Sequence, residues 1–213
     1  MLLFEFEKTG TFIYVSHIDM LRAVTRTLRR ARIDCAYSQG FNPHILLRFS
    51  PPLPIGVASR CELCAAECNI GAAEFLERYN RFSPEGLKAL SARVVPNNVN
   101  PAAQVTRAEY LIVYNGQWTM DNRQFFNSLS VAAKEVLGGG TFEIPAGKDG
   151  AMKEGRPLIH SIEVLTENEK PVVRAVLSTG NQTLRADRFA EAFAKRAGLE
   201  YRGADIVRTK LFI

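Results

Sequence analysis

The order of patterned segments decides the fold class of this chain. The opening "LLFEFEK" alternates apolar and acidic residues with the period of two that marks a half-buried strand, and "TFIYV" continues it beyond a Thr9-Gly10 turn. Ser16 then stands as a helix N-cap with Asp19 three residues on, a capping box in which Asp replaces the commoner Glu. A helix is expected from His17. At 100° per residue, Met20, Leu21, Val24, Leu28 and Ala31 share one face, and Arg22, Arg26, Arg29 and Arg30 gather on the other. "IDCAYS" and "HILLRFS" read as short strands around the turn "QGFNP", where Gly40 takes a left-handed conformation and Pro43 denies a ladder donor. "PPLPIG" suits neither a helix nor a central strand. "SRCELCAAEC" is extended, "AAEFLERYNRF" helical, and "LKALSARVV" a closing strand.

The same grammar recurs after "PNNVNPAAQ", residues 96–104, a polar stretch with two prolines that reads as a linker. "RAEYLIVYN" is a strand, and "DNRQFFNSLSVAAKEVL" a helix capped by Asp121. "PLIHSIEVLTE" and "PVVRAVLSTG" form a hairpin around "NEK", "LRADRFAEAFAKRAG" is a helix ended by Gly198, and "ADIVRTKLFI" is a last strand. The expected class is α+β, with tandem ferredoxin-like (split β-α-β) halves and antiparallel sheets, one spanning residues 1–97 and the other 105–213. No residue-level repeat accompanies the repeated order, so this expectation rests on the elements alone. Residues 138–155 lack periodicity and are rich in glycine, which marks a mobile loop. With the linker, this loop is where a protease should cut first. Its GGG matches neither phosphate-binding glycine motif. Trp118 is expected in the core.

The 213 residues are 46% hydrophobic and 23% charged, which excludes wholesale disorder. Glu5 and Glu7 occupy the place where a signal peptide needs an apolar run, and no stretch approaches the roughly 18 apolar residues of a membrane span. A cytoplasmic protein without membrane association is expected. No G-x-S-x-G, H-E-x-x-H, Walker or Rossmann motif is present, which disfavours hydrolase, metalloprotease and nucleotide-dependent chemistry, and no cofactor is expected. The net charge of +5 favours polyanion partners only mildly, so the placement of that charge matters more.

"SHIDMLRAVTRTLRRA", "YSQGFNPH" and "LPIGVAS" followed by Glu62 resemble a bacterial family of radical SAM-associated (radical SAM-linked) proteins of unknown function. The resemblance covers most of the chain, with the most specific motifs in residues 8–62. It implies a radical SAM protein as partner and, through the family's usual gene neighbours, an association with RNA processing and the ribosome. The two-half architecture is also similar to RNA-processing proteins of the CRISPR repeat-cleaving kind, a likeness of fold alone. Cys61, Cys64 and Cys68 form C-x-x-C-x-x-x-C, the reverse of the C-x-x-x-C-x-x-C of a radical SAM cluster. With Cys35 they could ligate zinc or iron-sulfur. On a strand, however, Cys61 and Cys64 point to opposite faces, and buried cysteine is an ordinary apolar residue, so no metal is expected.

The arginine stripe reads either as solvated surface or as a site for RNA phosphates, which match the guanidinium fork. The absence of balancing i, i+4 glutamates favours phosphate. The candidate anion-binding set is Arg22, Arg26, Arg29 and Arg30 with Ser38, Phe41 and Asn42, where Phe41 at the turn tip offers a stacking surface. His17 and His44 are either hydrogen-bonded structural residues or, if they converge, an acid-base pair for metal-independent cleavage of RNA; His160 is read as structural. The function expected is an RNA-binding or accessory module acting with a radical SAM partner. Two alternatives stay open: a ribonuclease using His17 and His44, and a scaffold that docks another protein through "FNPHILLRFSPPLPIG".

Overall fold

In β1 (Leu2–Lys8) the alternation of the sequence becomes a two-sided strand. Leu2, Phe4 and Phe6 are buried among helices, while Glu5 and Glu7 are half-buried on the opposite face. The structure is a computed structural model that describes residues 1–116, 121–146 and 151–213. It is a mixed α+β protein with five α-helices among the described residues, and its strands pair mostly antiparallel. Contacts divide the chain into two units, Met1–Val105 with Ile213, and Thr106–Phe212.

The first unit runs β1, α1 (His17–Arg30), β2 (Leu47–Phe49), β3 (Val57–Ala66), α2 (Ala72–Phe82), β4 (Ala89–Val94) and a single helical turn, α3 (Pro101–Gln104). β1 pairs with β4 on one side and β3 on the other, and β2 pairs with β3, giving the order β4-β1-β3-β2. Both long helices cover the face of Phe4 and Phe6. Met20, Val24 and Leu28 come from α1, and Phe75 and Tyr79 from α2, with the Phe4 ring 4.9 Å from Phe75 and 5.4 Å from Tyr79.

The start and the end of α1 are both fixed by side chains. Ser16 Oγ accepts the Asp19 amide at 3.2 Å, which is the N-cap half of the expected capping box, and its hydroxyl donates to the Asp19 carboxylate at 2.7 Å. At the far end Arg32 adopts φ +52°, the left-handed turn by which helices terminate, and the Ile33 amide reaches back to Leu28 O at 3.1 Å. Arg78 of α2 satisfies the orphan carbonyls there. Its Nε and Nη2 donate to Ala31 O at 3.1 and 2.8 Å, and Nη2 donates also to Arg32 O.

The second unit runs β5 (Arg107–Tyr114), α4 (Asn122–Leu137), β6 (Glu143–Ala146), β7 (Ala151–Glu154), β8 (Ile159–Glu167), β9 (Lys170–Ser178), α5 (Ala186–Arg196) and β10 (Ala204–Phe212). β10, β5, β9 and β8 are neighbours in that order, all antiparallel. Asp121 caps α4 by accepting the Gln124 amide at 2.7 Å. The β8–β9 hairpin turns through Asn168 and Glu169, at φ +47° and +63°, the two left-handed residues of a tight hairpin turn.

Four local expectations are corrected. "TFIYV" is a 3-10 turn over Gly10–Tyr14 because the chain leaves β1 through Gly10 at φ +55°, and Phe12 N donates back to Thr9 O at 3.1 Å. "IDCAYS" is no continuous strand but two isolated bridges, Cys35 to Cys68 and Tyr37 to Ile45. The linker contains α3, begun by Pro101 at the first helical position, where proline costs no hydrogen bond. Residues 143–146 and 151–154 pair as β6 and β7 rather than forming a structureless loop, since Phe142 and Ile144 alternate into the core and Phe142 lies 5.7 Å from Phe189. Residues 147–150 of that segment, and Trp118, lie outside the described residues. No helix among the described residues is long and apolar enough to cross a membrane.

Candidate functional site

Residues at i, i+4 and i+7 of a helix lie along one stripe, and this places Arg22, Arg26 and Arg29 in line on the exposed side of α1. They form one wall of a groove of about 690 Å³. The facing wall is the segment His44–Leu47, and Leu21, Ile45 and Leu47 supply apolar surface. The opposite side of α1 is anchored in the core by Met20, Val24 and Leu28, so packing fixes the direction of the arginines.

The second wall belongs to a short two-legged arm. Tyr37 bridges Ile45, Leu46 N donates to Ala36 O at 3.0 Å, and Ser38 N donates to His44 O at 2.9 Å. Ser38 closes the loop: its Oγ accepts the His44 amide at 3.1 Å and lies 2.8 Å from His44 Nδ1. When Ser38 donates to Nδ1, the neutral imidazole carries its proton on Nε2, a donor for a ligand in the groove. Gly40, at φ +124°, turns the tip, a conformation that a side chain would oppose. Phe41 at this tip is fully exposed, and Asn42 and Pro43 beside it are exposed too.

Positive charge in the groove is only partly neutralised. Arg22 donates to Asp19 at 2.9 Å. The Ser16 hydroxyl and Arg22 hold the Asp19 carboxyl below its ordinary range. Among the described residues no carboxylate makes an ion pair with Arg26, Arg29 or Arg30. Arg29 lies 6.0 Å from the Tyr37 ring centroid, a cation–π contact that orients the guanidinium at the groove's end. Guanidinium forks beside apolar surface and exposed rings suit a ligand with both phosphates and planar groups.

The other candidates are distributed elsewhere. Arg30 is exposed on α1 but does not line the groove. His17 is half-buried, with its ring edge-on to Phe49 at 5.9 Å, and the groove lining takes His44 without it. His160 Nε2 lies 2.8 Å from Ser178 Oγ, and burial, then Arg107 and Arg156, hold its imidazole below the ordinary range. Cys64 sits in the core with Cys35, whereas Cys61 lies beside Ser59 Oγ at 3.7 Å. Among the described residues no cluster of three or more His, Cys, Asp or Glu is arranged to hold a metal ion. Tyr37 and Leu21 were not among the candidate site residues. Tyr37 stands two residues from Cys35 in an extended segment, an alternation that could have placed it on the arm's inner side.

Comparison with known proteins leads to one family. The sequence profile described as "Uncharacterized protein conserved in bacteria (DUF2344)" matches residues 2–186. No curated protein matches. Among solved structures, the chain is similar to one titled "Crystal Structure of a Cbf5-Nop10-Gar1 Complex", at 12% identity and a TM-score of 0.50. The match covers 99% of this chain and 48% of that chain, so the chain spans about half the length of that relative. At this identity the likeness concerns fold alone.

Proposed function

The chain belongs to DUF2344, a bacterial family of uncharacterized proteins, and we propose that it is an RNA-binding accessory module whose groove between α1 and the arm tracks the phosphate backbone. One observation carries this reading: Arg22, Arg26 and Arg29 line a single groove opposite His44, and the exposed Phe41 caps the arm beside it. Phosphates would lie along the arginines, His44 Nε2 would donate to a phosphate or 2′-hydroxyl oxygen, and a base would stack on Phe41. Binding without scission is the activity proposed, since the His17 ring is turned against Phe49.

The two halves are read as ferredoxin-like, about residues 1–97 and 105–213. This is supported by the strand neighbours β4-β1-β3-β2 in the first unit and β10-β5-β9-β8 in the second. The resemblance of the α1 and arm motifs to radical SAM-associated proteins supports a radical SAM protein as the partner in a cytoplasmic assembly. Fluorescence anisotropy with a labelled single-stranded RNA tests the binding. Changing both Arg26 and Arg29 to Gln should weaken affinity at least about tenfold across unrelated sequences, as loss of phosphate contacts does. Phe41→Ala should weaken it by roughly five- to a hundredfold, the range of one stacked base. Equal affinity of wild type and both variants would overturn the assignment.

A further inference from the structure

Beneath the arm, residues 34–36 run antiparallel to residues 67–69. Ala36 N donates to Glu67 O at 2.7 Å and Asn69 N donates to Asp34 O at 3.0 Å, and between these bonds Cys35 faces Cys68. Bonds placed in this way define the non-hydrogen-bonded type of antiparallel pair, in which the Cα atoms stand about 4.5 Å apart and the side chains lean together. A disulfide spans Cα separations of roughly 4.4–6.8 Å. The backbone therefore already holds the two thiols within bonding reach.

Their surroundings suit the chemistry. The neighbouring Cys68 side chain holds the Cys35 thiol below its ordinary range, and the Cys35 side chain, then burial, pushes Cys68 up. A recess of about 400 Å³, lined among others by Met1, Asp34, Glu67 and Asn97, reaches both cysteines. Cys64 is fully buried, and that burial pushes its thiol well above the usual range.

We propose that Cys35 and Cys68 form a reversible disulfide, a redox modification site at the base of the arm that carries Tyr37, Ser38 and His44. The oxidant is a hydroperoxide small enough for the recess. The Cys35 thiolate attacks one peroxide oxygen; the O–O bond breaks, and hydroxide leaves and takes up the proton that Cys35 gave up. The Cys35 sulfenic acid is then attacked by the Cys68 sulfur; the S–O bond breaks, and the hydroxyl departs as water with the Cys68 proton. Two thiols lose two electrons and two protons, and hydrogen peroxide becomes two waters. A dithiol reverses the step. Disulfides of this kind in reducing compartments are transient and serve redox sensing.

The full chain treated with one equivalent of hydrogen peroxide tests the proposal. Intact mass should fall by about 2 Da, and titratable thiols in denaturant should drop from the four free cysteines to two. Peptide mapping should join Cys35 to Cys68, and dithiothreitol should restore all four thiols. Cys64→Ser should form the same link. Cys68→Ser should leave a sulfenic acid on Cys35, which dimedone traps. A bond that involves Cys61 or Cys64, survival of all four thiols, or overoxidation of one cysteine without a link would overturn it.

Discussion

Arg78→Ala should destabilise the first unit by about 2 kcal/mol. The guanidinium donates to two carbonyls at the end of α1, Ala31 O and Arg32 O, and pairs with Glu74 at 3.1 Å. Hydrogen bonds from a charged donor contribute about 1.5–3 kcal/mol each when desolvated, but the Arg78 side chain is 35% exposed and water would replace part of what is lost. The end of α1 should therefore lose about 1.5–2 kcal/mol, including the favourable placement of a cation at a helix C-terminus. The exposed i, i+4 pair with Glu74 adds only about 0.3–0.5 kcal/mol. With a urea m-value of about 2 kcal/mol/M, the midpoint should fall by about 1 M. Urea unfolding followed by far-ultraviolet circular dichroism measures this, with Glu74→Ala as the control at no more than about 0.5 kcal/mol. Arg78→Lys should fall between the two, because an ammonium cannot reproduce the planar fork. If Arg78→Ala cost no more than Glu74→Ala, the role of Arg78 as the cap of α1 would be refuted.

Ser16→Ala should cost about 1 kcal/mol through loss of the N-cap, measured by the same unfolding assay. Because Ser16 and Arg22 depress the Asp19 pKa in the folded state, the favourable contribution of Asp19 is fully present above its unfolded pKa, near 4, and disappears as pH falls through the lower folded value. In Ser16→Ala the Asp19 titration followed by nuclear magnetic resonance should move up, and an unchanged titration would contradict this account. Glu169→Gly should stabilise the β8–β9 hairpin by about 0.5–1 kcal/mol, since φ +63° strains any residue with a Cβ, and Glu169→Val should destabilise it.

Much of the element order was legible because each segment announces its own period. α2 coincides with "AAEFLERYNRF", and the Ser16 and Asp121 caps place the starts of α1 and α4. What escaped the sequence depends on partners distant along the chain. The extended look of "IDCAYS" hides that its backbone bonds go to Glu67, Asn69 and the far leg of the arm, so only bridges survive. Glycine and proline around residues 138–155 masked the alternation of Phe142 and Ile144, which becomes visible once Phe189 is known to receive Phe142. At the site, helical periodicity alone aligned Arg22, Arg26 and Arg29. That His44 would face them depends on how the arm folds back, and no local pattern encodes that, whereas His17, seven residues before the buried Val24, falls toward the apolar side of α1 by helical period alone.

The salt dependence of RNA binding tests the central claim most directly. For a single-stranded RNA, the logarithm of the association constant plotted against the logarithm of salt concentration should have a slope of about −0.7 per neutralised phosphate. Three groove arginines therefore predict a slope of about −2 or steeper for the wild type. The Arg26→Gln, Arg29→Gln double variant should flatten it by about 1–1.5, to the same extent on unrelated sequences. A slope near zero in the wild type, or one left unchanged in the double variant, would contradict the claim that this groove holds the phosphate backbone.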